Sequence, residues 1–183
     1  MNPFALSGSL AGLTSLGVGL FVYSKHMTNR LNKLWFLFTA SVAVFGFSVV
    51  WIALEKNQAN SLWAWRVAFS FGVLWIPILF YHFVLVFCGM EQRKALFINY
   101  ILCFLFFPLI LFSSLFFGGV RFVFSSFYYS IPGSILFYLF FLWWSALVVY
   151  SHYLVYRKYQ QSSGIKRNQF KSAFLAFSLP FFL

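Results

Sequence analysis

An all-α, polytopic bundle of transmembrane helices is the fold class expected of this 183-residue chain, and three observations lead to it. Hydrophobic residues make up 62% and charged residues 8%, where a soluble domain carries about a quarter of its residues charged. The apolar residues fall in runs of about 20, the length a helix needs to cross about 30 Å of hydrocarbon. The basic residues collect in the short breaks between those runs, as the loops of multi-pass proteins do.

The expected spans cover about 4–24, 34–54, 67–89, 95–117 and 135–156, with a sixth run over 172–183. Helix is required because an open strand would leave backbone N–H and C=O groups unpaired in lipid. The runs lack the two-residue alternation of a barrel strand and are about twice as long as one. The sixth run has 12 residues, about 18 Å of helix, so the expectation is five complete spans and a truncated sixth. It ends on Pro180-Phe181-Phe182-Leu183, as expected of a fragment or a truncated gene product.

Charge sets the expected orientation. Lys25, Arg30, Lys33, Arg93, Lys94, Arg157, Lys158, Lys166, Arg167 and Lys171 fall on one side, and Lys56, Arg66 and Arg121 on the other. Ten against three makes the first side cytoplasmic and puts the N-terminus outside. The first helix is too long, and too poor in preceding basic residues, for a cleaved signal peptide. A formal charge of +11 would suggest nucleic acid in a soluble protein. Here no soluble basic face remains to carry phosphate contacts, and the expected partner is the lipid bilayer. Cys88 and Cys103 form no CxxC pair and read as small apolar residues.

Catalytic chemistry finds few candidates. The acids are Glu55 and Glu91, on opposite sides of the expected membrane, which excludes a paired-carboxylate mechanism within one chain. His26, His82 and His152 show no ligand spacing, so no metal is expected, nor any cofactor. There is no GxSxG, phosphate-binding glycine loop or Walker lysine, and the expected spans contain no Lys or Arg. The expectation is that this chain is not an enzyme.

His82 is the ionisable residue placed deepest in a span, and polar groups at such depth face the bundle interior. Pro77 removes a backbone donor five residues earlier and should free a carbonyl. Pro77, Tyr81 and His82 are therefore the candidate ligand or helix-contact site, against a neutral histidine bonded to a neighbouring helix. Pro108 should bend the fourth span in the same way. Gly8, Gly12, Ser15 and Gly19 share one face of the first helix and are the candidate packing surface, within the bundle or in a homodimer. In the outer connection, 118–134, Phe122-Val123-Phe124 and Phe127-Tyr128-Tyr129 flank Ser125-Ser126 and suggest a short hairpin. Those aromatics, with several of Trp35, Trp51, Trp63, Trp65, Trp143 and Trp144, are expected as interfacial belt residues.

The order of these features resembles the N-terminal seven-transmembrane region of bacterial sensor histidine kinases, a module that also precedes diguanylate cyclase domains. The resemblance rests on Trp63-Ala64-Trp65-Arg66 opening the third helix, Pro77, and Tyr81-His82-Phe83 leading to Cys88-Gly89 and a basic loop. It continues with the aromatic connection closing on Pro132-Gly133. It ends with Tyr156-Arg157-Lys158-Tyr159, Ser162-Ser163-Gly164, Lys166-Arg167 and Gln169. It covers nearly the whole chain with motifs of moderate specificity, and it brings no ligand-contact residues with it. The chain departs from the pattern in lacking the rest of the sixth helix, the seventh helix and an output domain.

The resemblance implies a multi-pass sensory module of the bacterial inner membrane, with a kinase or cyclase output in cis if the chain is a fragment. A transporter or channel subunit is the alternative. It would need a polar path, for which only His82 and scattered serines qualify, and no inverted repeat is apparent.

Overall fold

A computed structural model describes residues 2–124 and 126–182, with side chains described as far as Leu175. The described chain forms α1 (Pro3–Lys25), α2 (Arg30–Leu54), α3 (Gln58–Val67), a π-helical segment (Ala68–Val73) and α4 (Trp75–Phe87). It continues as α5 (Arg93–Phe112), β1 (Phe117–Val123), β2 (Phe127–Pro132), α6 (Ile135–Gln160) and α7 (Gly164–Phe182). Five helices are long and apolar enough to cross a membrane: α1, α2, the continuous run Gln58–Phe87, α5 and α6.

The helix starts follow from local chemistry. The side chains of Asn2, Asn29, Asn57 and Ser134 accept from the backbone N–H groups of Phe4, Leu31, Ala59 and Leu136, satisfying donors that a helix N-terminus leaves free. The end of α4 is set by Gly89. It takes φ +63°, the N–H of Met90 returns to Leu85 O at 2.8 Å, and its own N–H reaches Val86 O at 3.2 Å. This pair of bonds closes the helix and turns the chain sharply toward α5.

The run Gln58–Phe87 is the core of the bundle, with 72% of its most apolar window buried, against 11–39% for the other four. It packs against α2 on one side, α6 on another and α5 on a third, while α1 lies along α2 and α7 along α6. Gly8 and Gly46 meet backbone to backbone: a Cβ on Gly8 would lie 2.7 Å from Gly46 O, and one on Gly46 would lie 2.7 Å from Gly12 N. A Cβ on Gly19 would overlap Thr39 Oγ1. The glycine face of α1 is thus covered by α2, with Ser15 half-buried along it, whereas Gly17 points into open space.

The chain is not wholly helical. β1 and β2 pair antiparallel, from Val123↔Phe127 at the turn to Phe117↔Pro132, with an irregularity at Phe117/Gly119. Phe117, Val120, Phe127 and Ser130 are buried, while Phe122, Tyr129 and Ile131 are exposed. The buried positions lie three apart in each strand and so do not follow the simple two-residue alternation of a half-buried sheet. The hairpin closes the end of the bundle opposite the basic connections. Beneath it Phe69, Phe116, Phe117, Phe137, Phe140 and Phe141 form one aromatic cluster, with Phe116 5.3 Å from both Phe137 and Phe140 between ring centroids.

Several expected boundaries shift. The third helix begins at Gln58, not 67, because Asn57 caps it. Trp63-Ala64-Trp65-Arg66 therefore lies inside this helix instead of opening it. The Arg66 guanidinium lies 5.6 Å from the Trp63 ring, a cation–π contact within the first turns of this helix. The fourth helix stops at Phe112, not 117: Ser113 is extended, residues 114–116 turn the chain, and β1 begins at Phe117. The sixth run begins at Gly164, not 172, so Lys166, Arg167 and Lys171 are helical.

Candidate functional site

The third helix carries the polar chemistry of the bundle. Pro77 lacks an N–H, so Val73 O, four residues back, has no helical donor. The indole Nε1 of Trp144 on α6 donates to this carbonyl at 3.0 Å. Ser70 O, inside the π segment, accepts from Trp75 Nε1 at 2.9 Å. On the next helix pair, Trp143 Nε1 donates to Asn99 Oδ1 of α5 at 2.8 Å. Trp143 and Trp144 thus act as interhelical donors in the body of α6, not as belt residues. Trp144→Phe leaves Val73 O unpaired and should cost about 1–2 kcal/mol, a fall of roughly 2–8 °C in Tm. Thermal unfolding in detergent, followed by a thiol-reactive dye on buried Cys88 and Cys103, measures it. Leu142 on the same helix as Trp144, 68% exposed, is the control, with no change expected on Leu142→Ala.

Two bond chains leave neighbouring residues of α4 at the basic end. His82 Nε2 lies 2.9 Å from an Arg30 guanidinium nitrogen, and His82 Nδ1 lies 2.9 Å from Tyr100 Oη. A guanidinium can only donate, so Nε2 accepts and the imidazole carries its proton on Nδ1, donating to Tyr100. This chain ties α2, α4 and α5. Tyr81 Oη donates to Gln92 Oε1 at 2.6 Å, and Gln92 Nε2 lies 3.2 Å from Tyr150 Oη of α6. The second chain ties α4, the turn after it and α6.

Pro77, Tyr81 and His82 therefore do not converge on one site. Tyr81 and His82 serve different bonds because successive helix positions point about 100° apart, and Pro77, on the Tyr81 face, lies a full turn away along the helix. A cleft of about 100 Å³ opens beside His82, lined also by Arg30, Glu91, Arg93 and Leu96, but neither Pro77 nor Tyr81 reaches it. Arg30, Gln92, Tyr100, Tyr150 and Trp144 are partners that sequence reasoning did not single out. Asn99 and Tyr100, polar groups inside an apolar run, were the available signal for one of these contacts.

At the hairpin end a second cleft of about 500 Å³ is lined by Asn2, Glu55, Lys56, Phe122 and Tyr128, among others. Trp65 Nε1 holds the hairpin over the bundle by donating to Tyr128 O at 2.8 Å. Glu55 lies outside the spans, and the backbone N–H groups of Asn57 and Lys56 hold its carboxyl below the usual range, Asn57 most strongly. Among the described residues no three His, Cys, Asp or Glu side chains come together as a metal site. The groups at both ends are suited to hydrogen bonding and charge recognition. No family model, no curated protein and no solved structure matches this chain.

Proposed function

We propose that this chain is the membrane-embedded sensory input module of a bacterial signal-transduction protein, of the histidine kinase or diguanylate cyclase type. It sits in the cytoplasmic membrane with its N-terminus outside and its basic end inside. Its sixth helix leads toward an output domain in cis. The observation that supports this reading is the convergence at the basic end. There α4 is bonded to α2 and α5 through His82 and, by way of Gln92, to α6 through Tyr81. Phe170 of α7 packs against Phe87, the last residue of α4, with ring centroids 5.1 Å apart.

A shift of α4 would therefore alter three interhelical contacts at once, and α7 rests on that same helix end. A ligand or membrane property acts as a signal only if it favours one of two arrangements of these helices. The cleft under the hairpin is on the side such a signal would approach. The order of motifs that resembles the seven-transmembrane sensor region points the same way.

The test is to continue the reading frame past Leu183 in the source genome and to assay the complete product. A seventh span followed by a kinase or cyclase domain is the expected result, with output activity changed by His82→Ala. A stop codon there, with no output gene alongside, would overturn the proposal. Ion flux in reconstituted liposomes, abolished by His82→Ala, would favour a transporter or channel subunit in its place.

A further inference from the structure

The cleft at the basic end has a charge balance that the bond chains around it do not account for. Two guanidinium groups, Arg30 and Arg93, face one carboxylate, Glu91. His82 adds no charge, since its Nε2 accepts from Arg30. Arg30 is exposed and gives one short bond to His82, leaving other donors of its planar fork available. Arg93 pairs with Glu91 at 3.4 Å, but their side chains are 86% and 78% exposed. Such a pair contributes less than about 1 kcal/mol and holds Arg93 loosely.

The remaining walls are apolar. Leu85 and Leu96 line the cleft and belong to the ends of two spanning helices. Beyond Arg93 along α5, Phe97 and Phe104 are 67% and 66% exposed. A charged mouth at a span end, continuous with an apolar helix face, matches an amphiphile better than a soluble anion. A volume of about 100 Å³ suits a single phosphate group.

We infer that this cleft binds the headgroup phosphate of an anionic phospholipid. Arg30 and Arg93 donate to the phosphate oxygens, and an acyl chain lies along α5 beside Phe97 and Phe104. Arginine suits the role because its planar fork matches phosphate geometry. Glu91 opposes binding by competing for Arg93. The inference does not depend on the sensory role, only on the basic end lying at a membrane surface.

The experiment uses the full chain, delipidated in uncharged detergent and titrated with phosphatidylglycerol or phosphatidylcholine by native mass spectrometry. One phosphatidylglycerol should bind in preference to phosphatidylcholine. Arg30→Gln and Arg93→Gln should each weaken it roughly fivefold. Glu91→Gln should tighten it by a similar factor, an outcome that a purely structural role for these residues does not produce. Lys158→Gln removes one charge from the same end outside the cleft and should leave binding unchanged. Equal weakening by Lys158→Gln and Arg30→Gln would overturn the inference in favour of diffuse attraction. So would no response to Glu91→Gln, and so would displacement of the lipid by millimolar inorganic phosphate, which would mark a soluble-anion site. Arg93 is exposed and keeps the test open if Arg30→Gln fails to fold.

Discussion

Gly46→Leu should detach α1 from α2. A Cβ on Gly46 already falls 2.7 Å from Gly12 N, 2.9 Å from Gly8 O and 3.0 Å from Gly12 Cα. All three are backbone atoms, which no rotamer change can move aside. Overpacking a close contact costs about 1–3 kcal/mol where side chains give way, and this contact lacks that freedom, so about 3 kcal/mol or more is expected. In a chain of this size that lowers Tm by roughly 6–12 °C. The comparison is Gly17→Leu on the same helix, where a Cβ meets nothing within 4 Å. It should be neutral or slightly stabilising, because leucine favours helix over glycine by up to about 1 kcal/mol. Equal losses from both variants would show that helix α1 has no specific seat on α2. Protease cleavage at the Lys25–Arg30 connection reports the detachment directly and should rise only in Gly46→Leu.

Phe116→Ala should be the most damaging single truncation under the hairpin. Phe116 is fully buried, and its ring lies 4.9 Å from Phe117 and 5.3 Å from Phe137 and Phe140. Removing it forfeits those contacts and leaves a cavity walled by α6, the π segment and the hairpin itself. Core Phe→Ala changes cost about 3–5 kcal/mol, which corresponds to a fall of roughly 6–20 °C in Tm. Hydrogen exchange should show faster exchange at the β1–β2 ladder while α1 and α2 stay protected. Phe124→Ala, at an 81% exposed ring on the turn, should leave both measurements unchanged. A cavity cost at Phe116 no larger than at Phe124 would mean that the aromatic cluster does not anchor the hairpin.

The helices were legible for a simple reason. Residues 4–24, 34–54 and 135–156 announce themselves by length and composition, and lipid allows an isolated run only one backbone solution. The hairpin was only hinted at: Phe122-Val123-Phe124 and Phe127-Tyr128-Tyr129 favour strands around a pair of serines, but the expected fold class was all-α and β1 begins at Phe117, at the end of the run read as the fourth span. What escaped was the start of the third helix. The polar stretch from Asn57 to Asn60 reads as loop by hydropathy, but Asn57 is a helix cap and commits the following residues to the helix. The start of α7 was missed similarly, because Lys166, Arg167 and Lys171 masked a helix that begins at Gly164.

The sequence by itself determined the membrane character of this protein and the approximate positions of its helices. It also identified Pro77 as the source of a free carbonyl and His82 as a polar group in need of a partner. Only the tertiary structure decided who those partners are. Val73 O goes to Trp144, and His82 goes to Arg30 and Tyr100, 52 and 18 residues away. It also divided Pro77, Tyr81 and His82 among separate contacts and left Arg30 and Arg93 at one cleft. Local propensity and hydropathy act over a few turns of one helix, whereas these bonds depend on which helix faces meet. That choice is made by packing, at contacts such as Gly8 on Gly46, where two backbones approach closely.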